Sequence, residues 1–150
     1  MSERHVGWAF VAVQAVLLAA LVLLPGGDDF EVPGWMRTLA DVVFWAGILL
    51  GVVAAISLGR SLTATPVPTE SATLRTGGVY RFARHPIYSG VILIVIAIAL
   101  RSSSVWKVML GAATIVFFVV KSDWEERRLS VRFPEYDAYA STTGRFFPGL

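Results

Sequence analysis

The sequence contains no cysteine and only two histidines, His5 and His85. Disulfides, thiolate metal sites and cysteine nucleophiles are therefore excluded, and a zinc site would depend on carboxylates without an HExxH spacing to support it. Charged residues are also scarce, at 16% of the 150 residues against about 25% in an ordinary soluble domain. No basic helix with interleaved aromatic residues is present, so nucleic-acid binding is not indicated.

Apolar residues are abundant instead: 55% of the chain is hydrophobic and the mean hydropathy is +0.65. Because a transmembrane helix needs about 20 mostly apolar residues, we searched for runs of that length and found four candidate spans, at about 7–24, 39–58, 86–104 and 105–120. The sequence thus predicts a single all-α integral membrane domain over residues 1–150, with about four transmembrane helices. A signal peptide is the alternative for the first run, but its charged flank and the Pro-Gly-Gly-Asp that follows it do not fit one.

The apolar part of the third span ends at Leu100 and the fourth span begins at Val105, so both are short for a full bilayer and only residues 101–104 connect them. We therefore expect a tight C-terminal helical hairpin. Folding such a hairpin would bring the segment just before Pro86 beside the segment just after Val120. All the concentrated polar and aromatic motifs of the chain lie in these two segments.

Lysine and arginine are distributed unequally between the predicted loops. Ten lie on one face, in or next to the N-terminus and the segments 59–85 and 121–150, and three lie on the other: Arg37, Arg101 and Lys107. The positive-inside rule then predicts a multi-pass protein of the cell membrane, with both termini and both long polar segments in the cytoplasm.

The first motif, GGVYRFARHPIYSG, covers residues 77–90. Pro86 favours the first turn of a helix, so free backbone amides and the positive end of the helix dipole would lie beside Arg84 and His85 and could receive an anion. Tyr80 and Tyr88 add aromatic surface. The alternative is an ordinary basic membrane flank with tyrosine anchors. In the same way, Gly90 fits either a ligand site or a close contact between helices.

The second motif begins at Lys121, where helix-forming residues continue to Val131. The spacing predicts solvated ion pairs Lys121/Glu125 and Asp123/Arg127. The adjacent carboxylates Glu125 and Glu126 lie just past the membrane boundary, where a partner or ligand has to offset their desolvation. Beyond them we expect three features: a helix end at Phe133-Pro134, one more amphipathic turn with Tyr136 and Tyr139, and an irregular segment at 145–148 against the membrane face.

Together the two motifs, GxYxxxRHPxYxG and EExxL followed by FPEYxxY and RxxP, resemble the isoprenylcysteine carboxyl methyltransferase and phospholipid methyltransferase superfamily of integral membrane enzymes, in its prokaryotic form. The resemblance covers residues 75–150. The matching residues are Gly78, Tyr80, Arg84, His85, Pro86, Tyr88, Gly90, Glu125, Glu126, Leu129, Phe133, Pro134, Glu135, Tyr136, Tyr139, Arg145 and Pro148.

The resemblance implies S-adenosylmethionine as methyl donor and cofactor, bound in a cytoplasmic pocket formed by the loop before the third helix and the C-terminal tail. It implies a lipophilic acceptor that enters from the bilayer, and no metal. The residues expected to bind the cofactor are Tyr80, His85, Pro86, Tyr88, Gly90, Glu126 and Leu129. Those expected to serve catalysis or the acceptor are Arg84, Glu125 and Arg145.

The chemistry of the acceptor stays open at this stage. A carboxylate acceptor would need no base and would favour Arg84 or Arg145 as its anchor, whereas an amine would need a base such as His85 or a glutamate. Two other functions are compatible with parts of the sequence. A nicotinamide-dependent membrane reductase could share the terminal hairpin, although the Glu125-Glu126 pair has the wrong sign for a 2'-phosphate site. A small non-enzymatic membrane scaffold is the other.

Overall fold

The structure, a computed structural model, describes residues 3–59 and 73–149. Five α-helices follow one another in this part of the chain: α1 (Glu3–Leu23), α2 (Gly34–Leu58), α3 (Pro86–Arg101), α4 (Val105–Arg132) and α5 (Tyr136–Thr142), with a short 3-10 helix at Gly78–Arg81. No strand occurs among the described residues, so the predicted all-α class is confirmed. Most of the predicted polar loop before α3, residues 60–72, lies outside the described part.

Three helices, α1, α2 and α4, are long and apolar enough to cross a membrane. Helix α3 has 16 residues, a length of about 24 Å, because Pro86 fixes its start and the turn after Arg101 ends it. A membrane location is therefore supported, while a fourth crossing and the orientation of the termini remain predictions.

Helices α3 and α4 pack in antiparallel order at the centre, with α2 along α3 and α1 mainly along α4. The loop between α1 and α2 covers the turn that joins α3 to α4. Gly27 donates its backbone N–H to the Ser102 carbonyl at 2.9 Å, and the Asp29 carboxylate accepts the first free amide of α4, from Val105, at 2.8 Å. These bonds satisfy backbone groups that the helix ends leave unpaired.

The contact between α2 and α3 depends on glycine. A Cβ atom added at Gly90 would lie 2.6 Å from the Gly47 carbonyl oxygen and 2.8 Å from the Gly51 nitrogen, closer than real carbon atoms approach. Small residues of this kind let helix backbones touch inside membranes. The structure gives Gly90 the helix-contact role, one of the two roles that the sequence allowed.

Helix α4 continues past the apolar run to Arg132, as predicted, and α5 begins at Tyr136. The exposed pair Asp123–Arg127 is present at 2.8 Å. The predicted solvated pair of Lys121 with Glu125 is wrong. Lys121 is only 4% exposed and donates instead to the Gln14 side chain on α1, because this face of α4 is covered by the first helix.

Candidate active site

The carboxylate of Glu126 is the centre of a group of charged residues. Arg84 donates from Nε to Oε1 at 3.0 Å and from Nη2 to Oε2 at 3.3 Å, while Arg145 donates to Oε2 at 2.9 Å. The His85 ring nitrogen Nε2 lies 3.1 Å from Oε1 and donates to it, since an ionised carboxylate can only accept. Two arginines and a histidine thus share one carboxylate.

Arg84 also fixes the C-terminal tail. Its Nη1 atom donates to the carbonyls of Ala140 and Thr143. Its own backbone N–H donates to the Gly144 carbonyl at 2.9 Å, and the backbone N–H of His85 donates to the Arg145 carbonyl at 2.9 Å. The tail therefore lies along the loop before α3. The ion pairs of Glu126 are located between this loop and the tail.

Glu125, the neighbour of Glu126, has different partners. The Tyr88 hydroxyl donates to Glu125 Oε2 at 2.9 Å, and His85 Nδ1 lies 3.9 Å from the same oxygen. The rings of Tyr88 and His85 are parallel, with centroids 5.3 Å apart, and Phe146 adds a third ring 6.2 Å from His85. An aromatic surface thus borders the two carboxylates.

The start of α3 holds the loop in place. Pro86 is fully buried in the first helical turn, and the first backbone bond within the helix runs from Ser89 N–H to the His85 carbonyl. The amides of Ile87 and Tyr88 precede that bond and have no acceptor within the helix. The Ser89 hydroxyl, fully buried, donates to the Phe146 carbonyl and ties the tail to α3.

Not every predicted site residue joins this cluster. Tyr80 is buried, but its hydroxyl donates to the Ala54 carbonyl of α2 at 3.3 Å. Gly78, the first residue of the 3-10 helix, has φ +62°, a conformation that favours glycine and explains its place in the motif. Leu129 accepts the Phe133 amide through its carbonyl where α4 ends. These three residues shape the elements around the site.

Burial keeps the nearby tyrosines in their neutral form. Burial raises the pKa of Tyr80 to about 12, and that of Tyr139 to about 12 as well. Burial and the charge of Glu126 raise the pKa of Tyr136 further. At neutral pH these phenols can donate hydrogen bonds but do not act as bases.

Arg84 stays charged in this setting. Burial alone would lower the pKa of its guanidinium, but the hydrogen bond and the charge of Glu126 outweigh burial and raise that pKa above its usual value. The Tyr136 hydroxyl, buried next to Arg84, forms no hydrogen bond of normal geometry with a described residue. A guanidinium can only donate, so the phenolic proton of Tyr136 has no acceptor among the described residues.

Sequence reasoning missed two groups that the structure brings to this region. Asp123, interpreted as part of a surface pair only, also accepts from Arg145 at 3.3 Å. Gln14 reaches Lys121 from α1. A signal for Gln14 existed, since it is the only side chain with a polar atom between Trp8 and Pro25.

Similarity to known proteins points to one enzyme family. Residues 35–135, about two thirds of the chain, match the family described as phospholipid methyltransferase. The match includes α2, α3 and α4, and with them the loop that carries Arg84 and His85 and the carboxylates of α4.

Two named relatives are similar to this chain. The nickel-cobalt-cadmium resistance protein NccN of Alcaligenes xylosoxydans xylosoxydans is 28% identical over 152 residues, covering all of this chain and 67% of NccN. The cobalt-zinc-cadmium resistance protein CzcN of Cupriavidus metallidurans is 33% identical over 117 residues, 77% of this chain and 52% of CzcN. The chain thus spans between half and two thirds of these relatives. Within residues 3–59 and 73–149, no three His, Asp or Glu side chains are grouped to hold a metal ion.

Proposed function

Because this chain belongs to the phospholipid methyltransferase family, we propose that it is an S-adenosylmethionine-dependent methyltransferase that acts on a lipophilic acceptor at the cytoplasmic face of the membrane. The observation that supports this best is the convergence of Arg84, His85 and Arg145 on Glu126. This cluster lies where the polar end of α4 meets the start of α3.

The residues of the cluster fit the chemical groups of the donor. S-adenosylmethionine has a carboxylate, an ammonium, ribose hydroxyls and an adenine ring, and it supplies a methyl group carried on a positively charged sulfur. Arg84 and Arg145 both pair with Glu126, and their remaining N–H donors could also form charge-assisted hydrogen bonds with the donor's carboxylate. Glu125 and Glu126 offer acceptors for hydroxyl or ammonium groups.

The aromatic residues complete the proposed binding site. The parallel rings of His85 and Tyr88 offer a surface for a planar base, and ring faces also attract a cation such as the sulfonium. The Tyr136 hydroxyl, whose proton has no acceptor of normal geometry among the described residues, is one further hydrogen-bond donor. In this proposal Pro86 and the buried Ser89 position the loop, and Gly78, Gly90 and Leu129 support it.

Catalysis in this proposal rests on positioning. The chain would hold donor and acceptor in line and exclude water, which can lower a barrier by roughly 7–11 kcal/mol when alignment is good. The neutral tyrosines leave Glu125 as the nearest candidate base for an amine acceptor, since Glu126 already accepts from two arginines and a histidine. A carboxylate acceptor would need no base and could pair with Arg145, which is more exposed than Arg84.

A ligand titration tests the proposal. Purified protein in detergent is titrated with S-adenosylhomocysteine and, in parallel, with NADPH, and the unfolding temperature is followed. At 100 times its dissociation constant, a ligand should stabilise the folded state by about 2.7 kcal/mol. We expect a shift with S-adenosylhomocysteine. A shift with NADPH alone would identify a nucleotide-dependent reductase instead, and no shift with either would favour a scaffold.

A further inference from the structure

A buried lysine lies outside the charged cluster, on the membrane side of it. Lys121 precedes Glu125 by one turn of α4 and is 4% exposed. Its position is about 24 Å along the helix from Val105, which places it inside a hydrocarbon layer of about 30 Å if α4 crosses the membrane from its first residue. Ionisable residues at such depth are costly and usually have a functional partner.

The side chains in direct contact with the Lys121 ammonium are all neutral. Its ammonium donates to the Gln14 side-chain oxygen of α1, and it lies 5.1 Å from the centroid of the Tyr88 ring and 6.0 Å from that of Phe118. Among the described residues, no carboxylate lies within ion-pairing distance of this ammonium. A lysine ammonium has three N–H donors. Lys121 therefore has N–H donors left for an anionic group, and the Glu125 charge acts on its ammonium only from beyond ion-pairing distance.

Gln14 also indicates that a polar group binds at this place. It is the only side chain with a polar atom between Trp8 and Pro25, in an otherwise apolar helix. Its neighbours Val13 and Val16 are 46% and 68% exposed on the outer surface of the helices. A polar group that meets Lys121 and Gln14 can therefore be attached to an apolar chain that lies along this surface.

Tyr88 joins this place to the charged cluster. The Tyr88 ring stacks on His85, with centroids 5.3 Å apart, and it also contacts the Lys121 ammonium. Its hydroxyl is held by Glu125. A group bound at Lys121 would thus be one aromatic ring away from the residues that we assign to the methyl donor.

We propose that Lys121 and Gln14 form the subsite for an anionic oxygen head group, a carboxylate or a phosphate, of the lipophilic acceptor. This inference rests on the proposed function and narrows its substrate class, and it places the head group of a carboxylate acceptor at Lys121 instead of at Arg145. A head group whose only charge is a cationic amine is disfavoured because the lysine ammonium repels it. Charge-assisted hydrogen bonds to an oxyanion are favourable in a dry setting.

Four probes with the same chain test the subsite in a non-ionic detergent: hexadecanoate, hexadecyl phosphate, hexadecanol and hexadecylammonium. We expect one or both anions to raise the unfolding temperature and the alcohol and the amine to have little effect. The two anions separate a carboxylate acceptor from a phosphate-bearing lipid. Equal shifts with hexadecanol and the anions would overturn the proposal, and this outcome needs no variant.

Variants of Lys121 test whether anion binding depends on this side chain. Lys121→Met should weaken binding of the preferred anion by about tenfold or more, as expected for the loss of a charged hydrogen bond, and Lys121→Arg should retain the preference. The matched control is Lys107→Met, because Lys107 is also buried, at 8% exposure, near the other end of α4. Unchanged anion binding in Lys121→Met would contradict the subsite.

The response to S-adenosylhomocysteine is measured on the same samples. If that response is present and the anion preference is absent, the subsite is wrong and the proposed function stands. If the response to S-adenosylhomocysteine is absent from the wild type, the proposed function fails whatever the probes show.

Discussion

Arg84 and Glu126 are 42 residues apart in the sequence, and their side chains form a two-point ion pair with a shortest distance of 3.0 Å. The pair links the loop before α3 to the polar end of α4. Both side chains are mostly buried, at 12% and 13% exposure, so the pair is poorly screened by solvent. The remaining donors of Arg84 hold the C-terminal tail, and one carboxylate therefore organises three separate segments of the chain.

Replacing Glu126 by Gln should destabilise the protein. The amide keeps the shape of the side chain but leaves Arg84 and Arg145 without their shared negative charge. Removing one member of a buried charged group costs about 3 kcal/mol or more, and we expect a loss of that order in the free energy of unfolding, measured by denaturant titration in detergent.

The control for this change is Arg127→Ala. Arg127 pairs with Asp123 on the exposed face of the same helix, at 2.8 Å and with 78% of its side chain exposed. Exposed pairs contribute little, so this variant should unfold like the wild type. Equal losses in both variants would mean that the Glu126 cluster does not join the three segments.

His85→Ala should abolish binding of S-adenosylhomocysteine while helicity, followed by circular dichroism, is largely retained. The ring contacts both Glu126 and the Tyr88 stack, so its loss removes a hydrogen bond and part of the aromatic surface. Tyr80→Phe is the comparison, because the Tyr80 hydroxyl donates to α2 and should not matter for the donor. Calorimetric titration gives both affinities, and an unchanged affinity in His85→Ala would place the donor elsewhere.

The start of α3 and the end of α4 could be predicted because each has a local cause, whereas α1 and α2 begin four and five residues before the predicted spans and α3 ends three residues before its own. Pro86 starts α3, and Phe133-Pro134 follows the end of α4 at Arg132. The proximity of Arg84 to Glu126 followed from folding α3 and α4 back on each other. Local patterns and one connection of known length were sufficient for these features.

Lys121 shows where such reasoning fails. The four-residue spacing to Glu125 predicted a solvated pair, but the side chain faces α1 and meets Gln14. Which face of α4 is covered by α1 depends on the packing of helices far apart in the sequence, and helical spacing does not encode it. The hydrogen bonds from Arg84 to the carbonyls of Ala140 and Thr143 could not be predicted from the sequence for the same reason.

Gly90→Ala should destabilise the contact between α2 and α3. The added methyl group would meet the Gly47 carbonyl at 2.6 Å, and backbone atoms cannot move aside as a flexible side chain can. Overpacking of this kind costs about 1–3 kcal/mol. Thermal unfolding in detergent measures the loss.

Gly51→Ala is the matched control, on the neighbouring helix of the same contact. A methyl group there would have no atom within 4 Å, and alanine favours a helix over glycine by up to about 1 kcal/mol. We expect unchanged or slightly higher stability. Should Gly90→Ala unfold at the wild-type temperature, the close approach of the two helices would be wrong.

Raising the pH from 10 to 12 should weaken the fold through Tyr80 and Tyr139. In the unfolded chain their phenols lose protons near pH 10, whereas burial raises the pKa of each to about 12 in the folded protein. Between these values the folded state binds more protons, so the free energy of unfolding falls as the pH rises, and the contribution is fully present below pH 10. The double variant Tyr80→Phe/Tyr139→Phe should show a shallower decline, because phenylalanine does not titrate.

Lysine side chains lose their charge in the same pH window and are present in both proteins. The difference between the two slopes of unfolding free energy against pH therefore reports the two tyrosines alone. Denaturant unfolding at several pH values gives the slopes, with tyrosinate absorbance as a direct measure of ionisation, and identical slopes would show that these phenols are as accessible in the folded protein as in the unfolded chain.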